Sequence, residues 1–111
     1  MKVYNFSNFL RLPPGTLFAQ ISDSPAGDLR IKGDSLPSDF FYRSICEIDF
    51  QNTEDYITKM DSMLERKESY PINETYTRHG LFEGTFLVFE EMDLRKIIVW
   101  LLDSYYLRFH K

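Results

Sequence analysis

The chain has 111 residues, 43% hydrophobic and 16% aromatic, which suits one compact domain (1–111) and leaves too little chain for a second core. A formal net charge of −4 disfavours contact with phosphate backbones, so we expect no direct binding of nucleic acid. One cysteine excludes an intramolecular disulfide. With only two histidines beside it, the chain lacks the ligands of a closed zinc site, and we predict neither a metal nor a cofactor.

The amino-terminal third is predicted to form a short helix followed by a hairpin. Asn5 can cap a helix that ends at Pro13-Pro14-Gly15, where amide donors are lost. Thr16 to Ile21 reads as a strand and Leu29 to Lys32 as its antiparallel partner. The residues between them, Ser22 to Gly27, form a turn rich in Pro and Gly.

The middle of the chain is predicted to contain a strand and a helix. From Asp39 to Phe50 apolar and charged residues alternate, after a turn at Gly33 to Ser38, and we interpret this segment as the central strand. Asn52 or Thr53 is then the cap of a helix that runs to about Arg66.

Residues 67–84 show no clean periodicity and form the longest irregular stretch, which makes them a second candidate site. Thr85 to Phe89 follows as an apolar strand that we expect to be covered on both faces. The order of elements predicts the α+β class: a three- to four-stranded, mostly antiparallel sheet packed against two main helices, plus a short amino-terminal helix.

The last helix, predicted from the cap Asp93 to about Phe109, is apolar on two faces. One wide stripe fits the helical period and is predicted to pack on the domain core. It comprises Leu94, Ile97, Ile98, Leu101, Leu102, Tyr105 and Phe109. The second stripe, narrow and half polar, is typical of a seam that binds a partner or a second copy. It comprises Val99, Trp100, Tyr106 and Leu107.

Two interpretations of that second stripe remain open. It is either an interface, through which the chain binds a protein partner or forms a homodimer, or a surface covered by the 67–84 loop or by the amino-terminal helix. Tryptophan and tyrosine are enriched at the residues that dominate binding energies, which favours the interface. The Tyr76, Arg78 and His79 loop is the second predicted contact region, because it offers a phenol, a guanidinium and an imidazole to an anionic group.

No residue spacing matches a known catalytic motif, and we predict no catalytic residues and no enzyme activity. Cys46 lies within an apolar alternation, which indicates a buried structural thiol rather than a nucleophile. Glu90, Glu91 and Asp93 read as acids at a helix start. The longest apolar run, Ile97 to Leu102, is far shorter than the roughly 20 residues that span a bilayer, and with no secretory signal we predict a cytoplasmic protein without membrane contact.

In size and style the sequence resembles small, acidic accessory proteins encoded by phages and mobile elements, including inhibitors of the anti-CRISPR type. The stretches that carry the resemblance are Leu12 to Phe18 and Arg78 to Phe82. It implies a stoichiometric inhibitor that occludes or locks a component of a host defence system, and it transfers no functional residue to this chain.

We therefore expect a non-enzymatic, protein-binding inhibitor or accessory module. One alternative is a nucleotide-sequestering protein, in which Arg78 and Arg43 contact phosphate groups and Tyr76 stacks on a base. A small hydrolase with a Cys46 or carboxylate centre is the third class considered.

Overall fold

The computed structural model describes residues 1–21 and 28–110 and contains one six-stranded antiparallel sheet with three helices. The strands lie in the order β1-β6-β2-β3-β4-β5. The elements are β1 (Lys2–Asn5), α1 (Phe6–Phe9), β2 (Leu17–Ile21), β3 (Arg30–Leu36), β4 (Asp39–Ser44), α2 (Thr53–Arg66), β5 (Thr77–Arg78), β6 (Thr85–Val88) and α3 (Glu91–Phe109).

The core is a cluster of four phenylalanines on one face of the sheet, closed by α1. Phe9 of α1 stacks on Phe86 at 4.1 Å between ring centroids and meets the edges of Phe18 at 4.7 Å and Phe40 at 5.0 Å. All four rings are fully buried. Large aromatic areas supply most of the burial that a domain of this size can gain, so α1 stabilises the fold despite its short length.

The predicted helix capped by Asn5 is confirmed at its start, but it already ends at Phe9, four residues before Pro13. It directly follows a strand that the sequence did not indicate. The Asn8 amide donates to Asn5 Oδ1 at 2.9 Å, the cap interaction expected from the residue type. Residues Lys2–Asn5 pair with β6 as β1, at the sheet edge. This strand has only four residues and its alternation is weak, so the sequence contains no pattern that would predict it.

The predicted hairpin is confirmed, because β2 and β3 pair antiparallel with Leu17 opposite Ile31. Its predicted turn, Ser22 to Gly27, lies outside the described residues. The predicted turn at Gly33 to Ser38 is wrong in extent: β3 continues to Leu36 through a register shift between Lys32 and Ser35. Such an irregularity lets a strand continue through residues that favour turns.

Lys32 is fully buried on the aromatic face of the sheet, which is rare for a lysine. Its ammonium donates to the Gly33 carbonyl at 3.0 Å and to Ser35 Oγ at 2.6 Å, and it lies 6.0 Å from the centre of the Phe9 ring. Ser35 in turn donates to the Leu10 carbonyl at 2.6 Å, which links the end of α1 to β3. Burial lowers the pKa of Lys32, and the nearby Asp34 carboxylate partly offsets this effect.

The prediction of a central strand from Asp39 to Phe50 is wrong in length and in place. Strand β4 ends at Ser44 and lies between β3 and β5, second from the sheet edge. Beyond it the alternation continues through a bend with an isolated bridge between Ile48 and Ile72. The alternation of apolar and charged residues therefore identified an extended segment, but it did not identify the strands with which that segment pairs.

Helix α2 has its predicted cap and its predicted end. The Asp55 amide donates to Asn52 Oδ1 at 2.8 Å, and Lys67 follows the last residue in the left-handed conformation that commonly ends helices. No residue of α2 is buried. The helix packs on its own connecting segments, for example through the Phe50 and Tyr56 rings at 5.0 Å.

The α+β class and the antiparallel sheet are confirmed, while the predicted details differ. The sheet has six strands rather than three to four, and the short helix α1, not the two long helices, closes the described core. None of the helices in the described part of the chain has the length and apolarity needed to cross a membrane.

The structure is extended for its size. Its radius of gyration is 16.1 Å, compared with about 13 Å for a compact domain of this length. Its accessible surface is 8277 Å², compared with about 6,400 Å² for a folded monomer of 13.2 kDa. The excess is about 1,900 Å², and neither of the two long helices has a buried residue.

Candidate protein-binding surface

Helix α3 begins two residues before the predicted cap. Glu90 is the cap residue and Asp93 the third residue of the helix, and the two form a capping box in which the Glu90 amide donates to Asp93 Oδ2 at 2.9 Å. The Met1 amine also lies 2.7 Å from Asp93 and 3.4 Å from Glu90. These acids therefore fix the start of α3 against β1.

The first half of α3 borders an apolar groove on the second face of the sheet, opposite the phenylalanine core. The groove has a volume of about 340 Å³. From α3 it is lined by Leu94, Ile97, Ile98 and Leu101, and from the rest of the chain by Gly15, Leu17, Leu29, Ile31 and Ile45. The spacing of the α3 residues follows the helical period, so the predicted core stripe faces the sheet in the first half of the helix.

Beyond Ile97 the predicted core stripe is wrong. Leu101 is 65% exposed, and Leu102, Tyr105 and Phe109 are also more than half exposed. No residue of α3 is buried at all. The periodicity was correct, but no element of the described chain covers this part of the stripe. A helical period identifies a face of the helix and not what packs on it.

The predicted binding stripe is exposed as well. Trp100 is 63% and Leu107 69% exposed, and Val99 and Tyr106 are more than half exposed. Within the described residues, neither the 67–84 segment nor α1 buries any of the four. The carboxyl-terminal half of α3 is therefore apolar on most of its circumference and exposed on all of it.

The second predicted contact region is partly ordered into the sheet. Thr77 and Arg78 form β5, which pairs with β4 at the sheet edge. Tyr76 packs against Gly33, where a Cβ would approach its ring to 2.9 Å. The Arg43 guanidinium lies 5.0 Å above the centre of the same ring. This cation–π contact occupies one face of the ring.

Arg78 is anchored by a buried carboxylate. Its Nε donates to Asp39 Oδ2 at 2.7 Å, and the Gly80 amide lies 3.1 Å from both Asp39 oxygens. Burial alone would raise the pKa of Asp39, but the Arg78 hydrogen bond and those from the Phe40 and Gly80 amides outweigh it and hold the pKa below its ordinary value. The Asp39–Arg78 pair therefore joins the irregular segment to β4. The sequence had placed Asp39 at the start of a strand and gave no sign of this ion pair.

His79 was predicted to be a solvated contact residue, but the structure buries its ring. The side chain is 2% exposed and stacks on Phe40 at 4.5 Å between centroids. Nε2 lies 3.0 Å from Gln20 Oε1 and is assigned as the donor, because Gln20 Oε1 is an acceptor. Nδ1 then carries no proton and has no hydrogen-bond partner among the described residues. The imidazole thus belongs to the core and presents nothing to a partner.

The burial of His79 predicts a loss of stability on acidification. Burial lowers its pKa below 6.5, the Asp39 carboxylate partly offsets this, and Arg30 adds to the lowering. Below pH 6.5 the unfolded chain therefore binds this proton more readily than the folded one, so stability is full above 6.5 and falls as the pH drops towards the folded pKa. Denaturant unfolding at a series of pH values from about 7 to 5 should show this slope, and His79→Gln should flatten it.

His110, the other histidine, provides the matched control for that experiment. It is exposed at the end of α3, so His110→Gln should leave the slope unchanged. The Asp39 carboxyl does not contribute to this slope. Folding lowers its pKa, so the stability that it contributes is lost only as the pH falls below its ordinary pKa of 3.8. A wild-type slope that survives His79→Gln would contradict the assignment to this ring.

Cys46 is exposed, so its prediction as a buried thiol is wrong. It lies just beyond the end of β4, where the chain bends and the alternation no longer reports burial. His79, the only histidine near the centre of the chain, has its ring buried and engaged by Gln20, so it is not positioned as a base for this thiol. Within residues 1–21 and 28–110, no group of three or more potential metal ligands converges.

Comparison with known proteins adds no relative: no family model, no curated protein and no solved structure matches this chain.

Proposed function

We propose that this protein acts by binding another protein, without catalysis, and that α3 is its main contact surface. The observation that carries the proposal is the exposure of the apolar residues from Ile98 to Phe109. Soluble monomers rarely leave a contiguous apolar patch of more than a few hundred Å² in water, and larger patches mark interaction sites.

The residue types on α3 also fit this role. Its exposed half carries a tryptophan, two tyrosines and a phenylalanine among leucines. Aromatic residues are enriched and charged residues depleted at the centres of protein interfaces. Only Asp103 and Arg108 are charged in this half. Tyr76 and Arg78 offer a smaller contact region at the β5 edge, since the Arg78 side chain is 56% exposed although its Nε is engaged.

The resemblance to anti-defence proteins suggests how such binding would be used. A stoichiometric inhibitor needs no catalytic group, only a surface that occludes or locks its target. We extend the proposal accordingly to a phage-encoded antagonist of a host defence component, supported by size, acidity and sequence style.

A pair of double variants tests the binding role of α3. Trp100→Ala with Leu107→Ala should change stability little, by about 0.5 kcal/mol or less per site, because exposed side chains lose few contacts on truncation. The same variant should retain much less protein from a host lysate when immobilised. Retained protein is measured by quantitative mass spectrometry at equal bait density.

The matched control replaces two exposed apolar residues away from α3, Leu81→Ala with Phe82→Ala. This variant should retain what the wild type retains. Equal retention by both variants would contradict the role of α3 in binding. A large drop in melting temperature for the α3 variant alone would mean that its stripe is core.

A further inference from the structure

We infer that the protein bound by α3 is a second copy of this chain, in a two-fold symmetric dimer. In this dimer the projecting end of each α3 lies against the groove between α3 and the sheet of the other copy. The inference rests on the proposed function, because it names the occupant of the same surface; a host target would then bind the surfaces that the dimer leaves exposed, among them the β5 edge.

Both halves of such an interface are present in one chain. The groove beside the first half of α3 is apolar and open, with a volume of about 340 Å³. The projecting part of α3, residues 102–109, extends about 12 Å beyond the last groove residue and carries bulky side chains that no described element covers. A two-fold axis brings each projecting segment to the partner's groove, so every contact is made twice.

The areas agree with a stable dimer. Aromatic side chains have areas of roughly 150–250 Å² each, and the four on the exposed half of α3 are 52–63% exposed, so they leave about 350–600 Å² uncovered: Trp100, Tyr105, Tyr106 and Phe109. Five aliphatic residues of the same half, each 51–69% exposed, add to this surface: Ile98, Val99, Leu101, Leu102 and Leu107. Together they provide about the 800 Å² per partner of a standard interface.

Charge favours self-pairing through this helix over other surfaces. The chain as a whole carries −4, so two copies repel each other over most of their surface. Helix α3 has three acidic residues (Glu91, Asp93, Asp103) and three basic ones (Arg95, Lys96, Arg108), which makes it neutral. The net charge therefore lies elsewhere, and two copies can meet through α3 without net repulsion between the two helices.

A closed dimer would also remove this apolar helix from water. If the projecting end bound a different surface of a second copy, the contact would be heterologous and would build rings or open chains of molecules. Mutual insertion uses both groove and helix in one closed contact and leaves the acidic surfaces outside. The dimer then presents Tyr76 and Arg78 twice to any further target.

The test combines molar mass with the fluorescence of Trp100, the only tryptophan in the sequence. Wild-type protein is diluted stepwise; its mass is followed by sedimentation equilibrium and its emission maximum is recorded on the same samples. We expect twice 13.2 kDa at high concentration. The emission maximum should shift to longer wavelength on dilution, with the same midpoint as the mass, because Trp100 becomes exposed when the dimer dissociates.

A charge in the interface should disrupt it. Leu107→Lys introduces an ammonium on the projecting segment, where Leu107 touches nothing in the monomer, and should raise the dimer dissociation constant about 100-fold or more because the change occurs twice per dimer. Leu64→Lys, on the exposed side of α2, is the matched control and should leave the dimer intact. Far-ultraviolet circular dichroism verifies that both variants are folded. The wild-type dilution series stands independently if a variant does not fold.

Each other outcome overturns the inference in a distinguishable way. A monomer at every concentration with a solvent-exposed Trp100 would exclude self-pairing and leave α3 free for a foreign protein, so the proposed function would survive. A dimer that keeps Trp100 exposed and tolerates Leu107→Lys would pair through another surface. A monomer with Trp100 in an apolar environment would mean that α3 folds onto its own domain, and both proposals would fail.

Discussion

Phe40→Ala should destabilise the fold by about 3–5 kcal/mol, the usual cost of truncating a buried phenylalanine. The Phe40 ring lies at the centre of the aromatic cluster, within 5.0 Å of Phe9 and 4.5 Å of His79 between centroids, and it is fully buried. Because strand pairing fixes its neighbours, the cavity cannot collapse completely. A domain with a total stability of about 5–15 kcal/mol would be left marginal by this one change.

Urea unfolding at a fixed protein concentration measures this loss, and Phe82→Ala serves as the matched control. Phe82 is exposed, so its truncation should cost about 0.5 kcal/mol or less. Holding the concentration fixed matters, since association stabilises the folded state by mass action. A loss below about 1 kcal/mol for Phe40→Ala would contradict its place in the core.

Arg78→Met is expected to cost about 1.5–3 kcal/mol, the worth of a hydrogen bond to a charged group. An exposed ion pair would contribute less than about 1 kcal/mol, and losing one partner of a fully buried pair costs about 3–5 kcal/mol. The pair with Asp39 lies between these limits, because the carboxylate is fully buried while the arginine is more than half exposed. Methionine keeps the length of the side chain and removes the charge.

The pH dependence separates this role from simple packing. Burial raises the pKa of Asp39, and without Arg78 only the Phe40 and Gly80 amides oppose it, so the carboxyl becomes neutral at a higher pH than in the wild type. The wild type loses the stability from Asp39 as the pH falls through its lowered pKa, and the variant has less of it to lose there. The difference between the two proteins should therefore shrink on acidification.

Exposed Arg11 supplies the control for this experiment. Arg11→Met should change stability by about 0.5 kcal/mol or less and should leave the pH dependence unaltered. A loss for Arg78→Met that stays constant from neutral to acidic pH would mean that the side chain acts through its packing and not through its charge.

If α3 pairs two copies, the proposed inhibitor is bivalent. A dimer presents its acidic surfaces and both β5 edges at a fixed separation, so a target with two matching sites would be bound with a large gain in effective concentration. Only exposed side chains are available for this contact. Tyr76 and Arg78 are partly exposed, whereas the side chain of His79 is buried.

The features that the sequence alone determined are local ones. The caps Asn5 and Asn52, the end of α2 near Arg66 and the pairing of β2 with β3 depend on hydrogen bonds or turns within a few residues. Side-chain chemistry and spacing specify such contacts completely, so the α+β class and the helical period of α3 could be predicted without coordinates.

Tertiary structure alone decided which of the periodic faces are covered. The β3 alternation was seen correctly, yet Lys32 faces the aromatic core because α1 closes that face, and the groove beside α3 lies on the other. His79 is buried because β5 pairs with β4 across a long sequence separation. A period gives the side of an element on which a residue lies, whereas burial depends on what distant segments place there. Both stripes of α3 stay exposed in its second half because no described segment covers them.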